Sequence, residues 1–151
     1  MDSCVFCKIV KGEMPCAKIW EDDNFIAFLD IKPATKGMTL LIPKIHSSSD
    51  IFDTSDEEIK AIFSAGKTIS SILKKAFDVE RVAVVFEGVG VPHLHMKLYP
   101  LHGYKSQANK EFSLNPQYFE KYEGYISTQT GPQMSAQELE ETAKYIRKKG
   151  I

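Results

Sequence analysis

Val91-Pro92-His93-Leu94-His95-Met96-Lys97-Leu98 alternates polar and apolar side chains from position 93 onward. Successive side chains on a strand point to opposite faces, so His93, His95 and Lys97 share one face and Leu94, Met96 and Leu98 the other. The apolar face belongs in a core. Three ionisable or cationic groups in a row make sense on a face that lines a site, and a plain solvated sheet face is the alternative. An imidazole on a strand has little freedom. Held so, it suits attack on phosphorus, giving a phosphoramidate that water later breaks.

Working outward, the strand over 94–99 is preceded by a Val-rich one over 81–86, and Glu87-Gly88-Val89-Gly90-Val91-Pro92 forms the glycine-bearing connection. Upstream, Ser55-Asp56-Glu57-Glu58 matches a capping box with acidic residues in the first turn. Ile59, Ile62, Phe63, Ile69, Ile72, Leu73 and Phe77 fall at helical spacing, and Lys74 and Lys75 lie near the end, which predicts a helix over 55–77 with one face on a sheet. Earlier segments predict strands over 18–21, 25–29 and 38–42, the first two joined by Asp22-Asp23-Asn24. A short helix or turn is expected over 9–14. Residues 102–125 are polar and aromatic with little periodicity, and Ser135 with Glu138 opens a helix over 136–149. The sum is an α+β fold: an antiparallel sheet of about five strands, one long helix packed on it, and a C-terminal helical appendage. The domain core spans 1–105 and an extension spans 106–151.

Composition narrows the function classes. At 151 residues the chain supports one domain with a real core, and 43% hydrophobic with 26% charged residues is ordinary for a globular protein. A net charge of −1 gives no general attraction to nucleic acid or membranes, and no stretch is apolar for long enough to span a bilayer. The N-terminal residues lack a basic region and do not read as a signal peptide. Three cysteines do not make a disulfide framework, and two stand as Cys4-Val5-Phe6-Cys7. A cytoplasmic protein with a possible metal site is the expectation.

The segment 91–98 resembles the signature of the histidine-triad family. Cys4-Val5-Phe6-Cys7-Lys8-Ile9, Ile26-Ala27-Phe28-Leu29-Asp30-Ile31 and Leu41-Ile42-Pro43-Lys44-Ile45-His46 resemble other landmarks of that family, in its order, so the likeness runs from residue 4 to about 100. The resemblance implies a nucleotide hydrolase or nucleotidyl transferase acting at an α-phosphate, on nucleotide phosphoramidates or dinucleoside polyphosphates, with His95 as nucleophile and nucleotidyl carrier. The second ring nitrogen of His95 is expected to donate to a backbone carbonyl. The resemblance places Asp30 at the ribose hydroxyls, although a residue in that place can equally serve a turn. It places Val5, Phe6, Ile9, Phe28, Ile31 and Leu40 around the base, where each could also be plain core. It implies a zinc site from Cys4, Cys7, His46 and His93, a tetrahedral two-thiolate, two-imidazole set of structural character; a reduced thiol pair is the alternative. It implies a homodimer formed through the sheets; Tyr118, Phe119, Tyr122 and Tyr125 could pack on the domain or across that interface, and the stretch at 127–132 could reach the partner's site and contact substrate. No nucleic-acid partner is expected. A non-catalytic nucleotide-binding module is the alternative function. His102 reads as a loop histidine and Cys16 as a small apolar residue.

The sequence departs from the family at Lys97, where a third histidine is expected and one branch, the galactose-1-phosphate uridylyltransferase type, carries Gln. An ammonium donates only. Its charge should lower the pKa of His95 and can stabilise the non-bridging phosphate oxygens, while a pairing with Glu87 is the competing role. Glu87-Gly88-Val89-Gly90 offers the phosphates backbone N–H groups only, with a carboxylate that repels a polyphosphate, so a substrate other than the usual dinucleoside polyphosphates or adenosine phosphoramidates is an open expectation. Lys97→His is expected to keep hydrolysis of a simple nucleotide phosphoramidate while changing its rate and pH profile. An unchanged profile takes Lys97 out of the mechanism.

Overall fold

The computed structural model of the chain describes residues 4–104 and 133–150. Its elements run α1 (Val5–Val10), β1 (Lys18–Glu21), β2 (Phe25–Leu29), β3 (Thr39–Pro43), a 3-10 turn (Ile51–Asp53), α2 (Asp56–Phe77), β4 (Val82–Val85), β5 (Met96–Pro100) and α3 (Ala136–Gly150). The strands form one antiparallel sheet in the order β1-β2-β3-β5-β4. After α2 the chain enters at the outer position as β4, and β5 turns back to pair between β4 and β3.

Strand alternation divides the apolar residues between two cores. Phe25, Ala27 and Leu29 of β2, Leu41 of β3 and Met96 and Leu98 of β5 meet Ile62, Ile69 and Leu73 of α2 on one face. Ile26 and Phe28 of β2 with Leu40 and Ile42 of β3 form the other face, covered by Phe6 of α1. Both faces of β2 and β3 are therefore buried, and their sequences read as continuous apolar runs for that reason. Gly66 lets α2 settle closely on β5: a Cβ there would stand 2.6 Å from the Met96 sulfur.

The caps work as their residues suggest. Ser55 accepts from the Glu58 N–H at the start of α2, while the Glu58 carboxylate takes the Ser47 hydroxyl. At α3 the exchange is reciprocal, with the Ser135 N–H donating to Glu138 and the Glu138 N–H to the Ser135 hydroxyl. Leu139, Ala143 and Ile146 of α3 join the α2-side core, and Arg147 donates to the Lys18 carbonyl on β1. The C-terminal helix is thus built into the main core.

Several boundaries differ from expectation. The first helix lies over Val5–Val10, so Cys4 and Cys7 bracket its first turn. The last strand begins at Met96, and His93 and His95 sit in the connection before it. Phe63, expected in the core, is half exposed and leans on Phe86, ring centroids 5.5 Å apart. The aromatic residues Tyr118 to Tyr125, the stretch at 127–132 and the domain boundary after 105 lie outside the described residues. No described helix is long and apolar enough to cross a membrane.

Gly88 shapes the connection that carries the site. It has φ +71°, and a Cβ would come 2.9 Å from the Ser49 carbonyl oxygen. Gly88→Ala is expected to cost about 1–2 kcal/mol for the left-handed backbone alone, and more for the collision. Urea unfolding checks it; unchanged stability would mean that this turn relaxes freely.

Candidate active site and metal centre

α1, the end of β3 and the β4–β5 connection bring four donor side chains together. Cys4, Cys7, His46 and His93 place one ligand atom each within 4.8 Å of all the others. His46 Nδ1 and His93 Nδ1 are 3.3 Å apart, Cys7 Sγ is 3.4 Å from His46 Nδ1, and Cys4 Sγ and Cys7 Sγ are each 3.6 Å from His93 Nδ1. A tetrahedral zinc with bonds of about 2.0–2.3 Å implies ligand-to-ligand edges of roughly 3.3–3.8 Å. These four separations fit its edges, and the remaining two, from Cys4 to Cys7 and to His46, lie within 4.8 Å.

The tautomer fits as well. His93 is fully buried and its Nε2–H donates to the Pro43 carbonyl at 2.9 Å. Nδ1 is therefore the lone-pair nitrogen, and it faces the two sulfurs. Donation from the far ring nitrogen to a carbonyl is how metal-bound imidazoles are commonly oriented. Burial pushes the His93 imidazole below its ordinary value, which favours the neutral ligand form. This set could hold a metal ion.

His95 is organised by the same segment. It is 3% exposed, and its Nδ1–H donates to the His93 carbonyl at 2.8 Å. That bond fixes the tautomer and leaves Nε2 with the lone pair, unbonded among the described residues. Burial is the main cause that lowers its pKa, and the Lys97 charge comes after burial and the opposing backbone hydrogen bond. The expected effect of Lys97 is present but secondary. Phe6 packs edge-on against His95, His93 and Phe28, with centroids 5.6, 5.9 and 5.7 Å away. One aromatic ring of α1 therefore braces both histidines against the sheet.

Lys97 lies opposite Leu40 and Val85 in the β5 pairings, on the face away from α2. Its ammonium is 2.7 Å from the Glu87 carboxylate, and the two side chains are only 12% and 10% exposed. The competing role weighed for Lys97, a pairing with Glu87, is what the structure contains. Asp30 directs Oδ1 to the Lys32 N–H at 2.8 Å, a turn-stabilising bond. Val5, Phe6, Ile9, Phe28 and Leu40 do converge in one apolar cluster. Ile31 stands apart from it and is 56% exposed.

Sequence reading missed Tyr99, two residues beyond Lys97 on β5. Its hydroxyl is buried without a hydrogen-bond partner among the described residues, and burial with the nearby Glu87 and Asp30 carboxylates pushes the phenol up to about 12. The alternation that placed Lys97 places Tyr99 on the same face, so the signal was there. Cys16 is half-buried against the α1-side cluster, and the His102 Nε2–H donates to the Lys36 carbonyl at 2.9 Å. A cleft of about 800 Å³ lies elsewhere, between residues 29–38 and α3. It shares Asp30 with the site, and its described lining residues include no histidine or cysteine.

This geometry meets the comparisons with known proteins at the family level. The HIT domain model matches residues 11–103. The Bacillus subtilis protein hit is 36% identical over 107 residues, covering 68% of this chain and 73% of that one. The adenosine 5'-monophosphoramidase of Schizosaccharomyces pombe is 36% identical over 117 residues, covering 74% and 80%. Among solved structures, a Bartonella henselae Hit-like protein involved in cell-cycle regulation superposes with a TM-score of 0.74 at 27% identity, covering 100% and 98%. A Zn-bound histidine triad family protein from Mycobacterium smegmatis gives 0.65 at 27% identity, covering 97% and 92%. The chain belongs to the HIT domain family, and its antiparallel five-stranded α+β fold is the fold of that family.

The donor set carries its own test. Elemental analysis of purified protein is expected to find about one metal equivalent per chain, and Cys4→Ser to lose most of it with a lowered melting temperature. Metal-free protein of unchanged stability would reduce the cluster to a packed thiol–imidazole contact.

Proposed function

We propose that this protein is a nucleotide hydrolase or nucleotidyl transferase that works at an α-phosphate through a covalent intermediate on His95. The single observation that carries the reading is the orientation of that ring: Nδ1–H is committed to the His93 carbonyl, and Nε2 is left as a fixed, neutral nucleophile. Membership of the HIT domain family and the similarity to a protein named as an adenosine 5'-monophosphoramidase support it.

In this reading the base lies among Val5, Phe6, Ile9, Phe28, Leu40 and Ile31, the last exposed as a residue covered only by ligand would be. Asp30 keeps Oδ2 for the ribose hydroxyls while Oδ1 holds its own turn. Nε2 attacks the α-phosphorus and the bond to the leaving group breaks. For a phosphoramidate, the leaving nitrogen departs with a proton taken from solvent. Water then breaks the N–P bond, restoring the imidazole and giving the nucleoside monophosphate; an alcohol or phosphate in place of water gives transfer. Lys97 Nζ offers hydrogen bonds to the non-bridging oxygens as charge builds there.

Zinc is the metal we assign to Cys4, Cys7, His46 and His93, on the softness and spacing of the donors. Bound by four protein ligands it would act as a structural clamp. The chain's own residues carry the chemistry. We also assign a homodimer, supported by the outer position of β4 in the sheet and by the exposed Val84 and Phe63 near it.

His95→Ala tests the function. Hydrolysis of adenosine 5'-phosphoramidate is expected to fall by about a thousandfold or more, the scale for loss of a nucleophile, in a protein that keeps its fold. Turnover within a few-fold of wild type would exclude His95 as the nucleophile.

A further inference from the structure

Lys97 pairs with Leu40 on the face of the sheet that Phe6 covers, and Phe6 also packs on the His95 ring, so the Lys97 ammonium belongs to the same side of the sheet as that ring. The cation is already satisfied by Glu87 at 2.7 Å, in a pair about 90% removed from solvent on both sides. Such a pair is screened little by salt and does not rearrange at small cost. Tyr99 is buried on the same face of β5, and its hydroxyl has no hydrogen-bond partner among the described residues.

We propose that Glu87 is a specificity-determining residue: by neutralising Lys97, it biases the site against nucleotides whose α-phosphate bears a polyphosphate leaving group. The favoured substrates carry an uncharged or cationic leaving group, such as an amine. A polyphosphate brings further negative charges to a site whose Lys97 is already neutralised, whereas an amine leaving group brings none and needs no cation. Freed from Glu87, Lys97 would serve as an ordinary phosphate-binding cation. The inference rests on the nucleotide reading above and decides between the two substrate classes it leaves open.

The test is nucleotide affinity, measured by calorimetry in a His95→Ala background so that nothing is consumed. Wild-type Glu87 is expected to bind AMP at least as tightly as ATP. Glu87→Gln is expected to raise the ATP-to-AMP affinity ratio about tenfold, the scale of one partly screened charge interaction. Adding Lys97→Gln should bring the ratio back. Lys97→Gln alone should lower it by a similar factor, and this variant carries the test if Glu87→Gln does not fold. A ratio that stays constant across the folded variants, or ATP bound tenfold more tightly than AMP before any change at Glu87, overturns the proposal. Wild-type turnover separates the two claims: nucleotide binding without hydrolysis defeats the enzyme reading alone, and binding of neither nucleotide defeats both.

Discussion

The site hangs on the way His93 is held. Its Nε2–H reaches the Pro43 carbonyl at the end of β3, its Nδ1 faces Cys4, Cys7 and His46, and its carbonyl accepts the Nδ1–H of His95. One residue therefore joins the first helix, the central sheet and His95. A fully buried imidazole with every polar atom engaged is costly to disturb, because any broken bond leaves an unsatisfied group without water. That cost keeps the His95 ring in a single orientation, the preorganisation that its proposed role as nucleophile calls for.

The polar groups beyond His95 are arranged on a different principle. Lys97 and Glu87 pair out of solvent, and such pairs give less net stability than their attraction suggests, since both ions lose hydration. Replacing them with apolar residues would be an easier way to stabilise a sheet, so their value is to be sought in the chemistry of the site. Tyr99 points the same way, as a buried hydroxyl with no partner in a protein that otherwise satisfies its buried side-chain polar atoms among the described residues.

Much of this was legible in the chain. Alternation placed Leu94, Met96 and Leu98 in the α2-side core, helical spacing and caps located α2 and α3 to within a residue or two, and the resemblance of four short segments assembled the metal donors. Strand parity overreached at His93 and His95. They share a region because of hydrogen bonds to Pro43 and to each other, and the ladder starts only at Met96. Periodicity also misjudged Phe63, because helical spacing marks a face but does not say how far the sheet extends beneath it. The pairing of Lys97 with Glu87 was legible as the competing role, but deciding for it required the path of a glycine-bearing connection that no pattern specifies. Alternation already put Tyr99 on the Lys97 face, but that its hydroxyl lacks a partner among the described residues is visible only in the structure.

The central claim is that Nε2 of His95 carries the nucleotide. Its most direct test is rapid acid-free quenching of wild-type protein with adenosine 5'-phosphoramidate, followed by intact-mass analysis and peptide mapping. The account predicts a transient gain equal to one adenylyl group, confined to the peptide containing His95 and discharged by water. Turnover with no adduct at any quench time, or an adduct mapped to Lys97 or another residue, would contradict it.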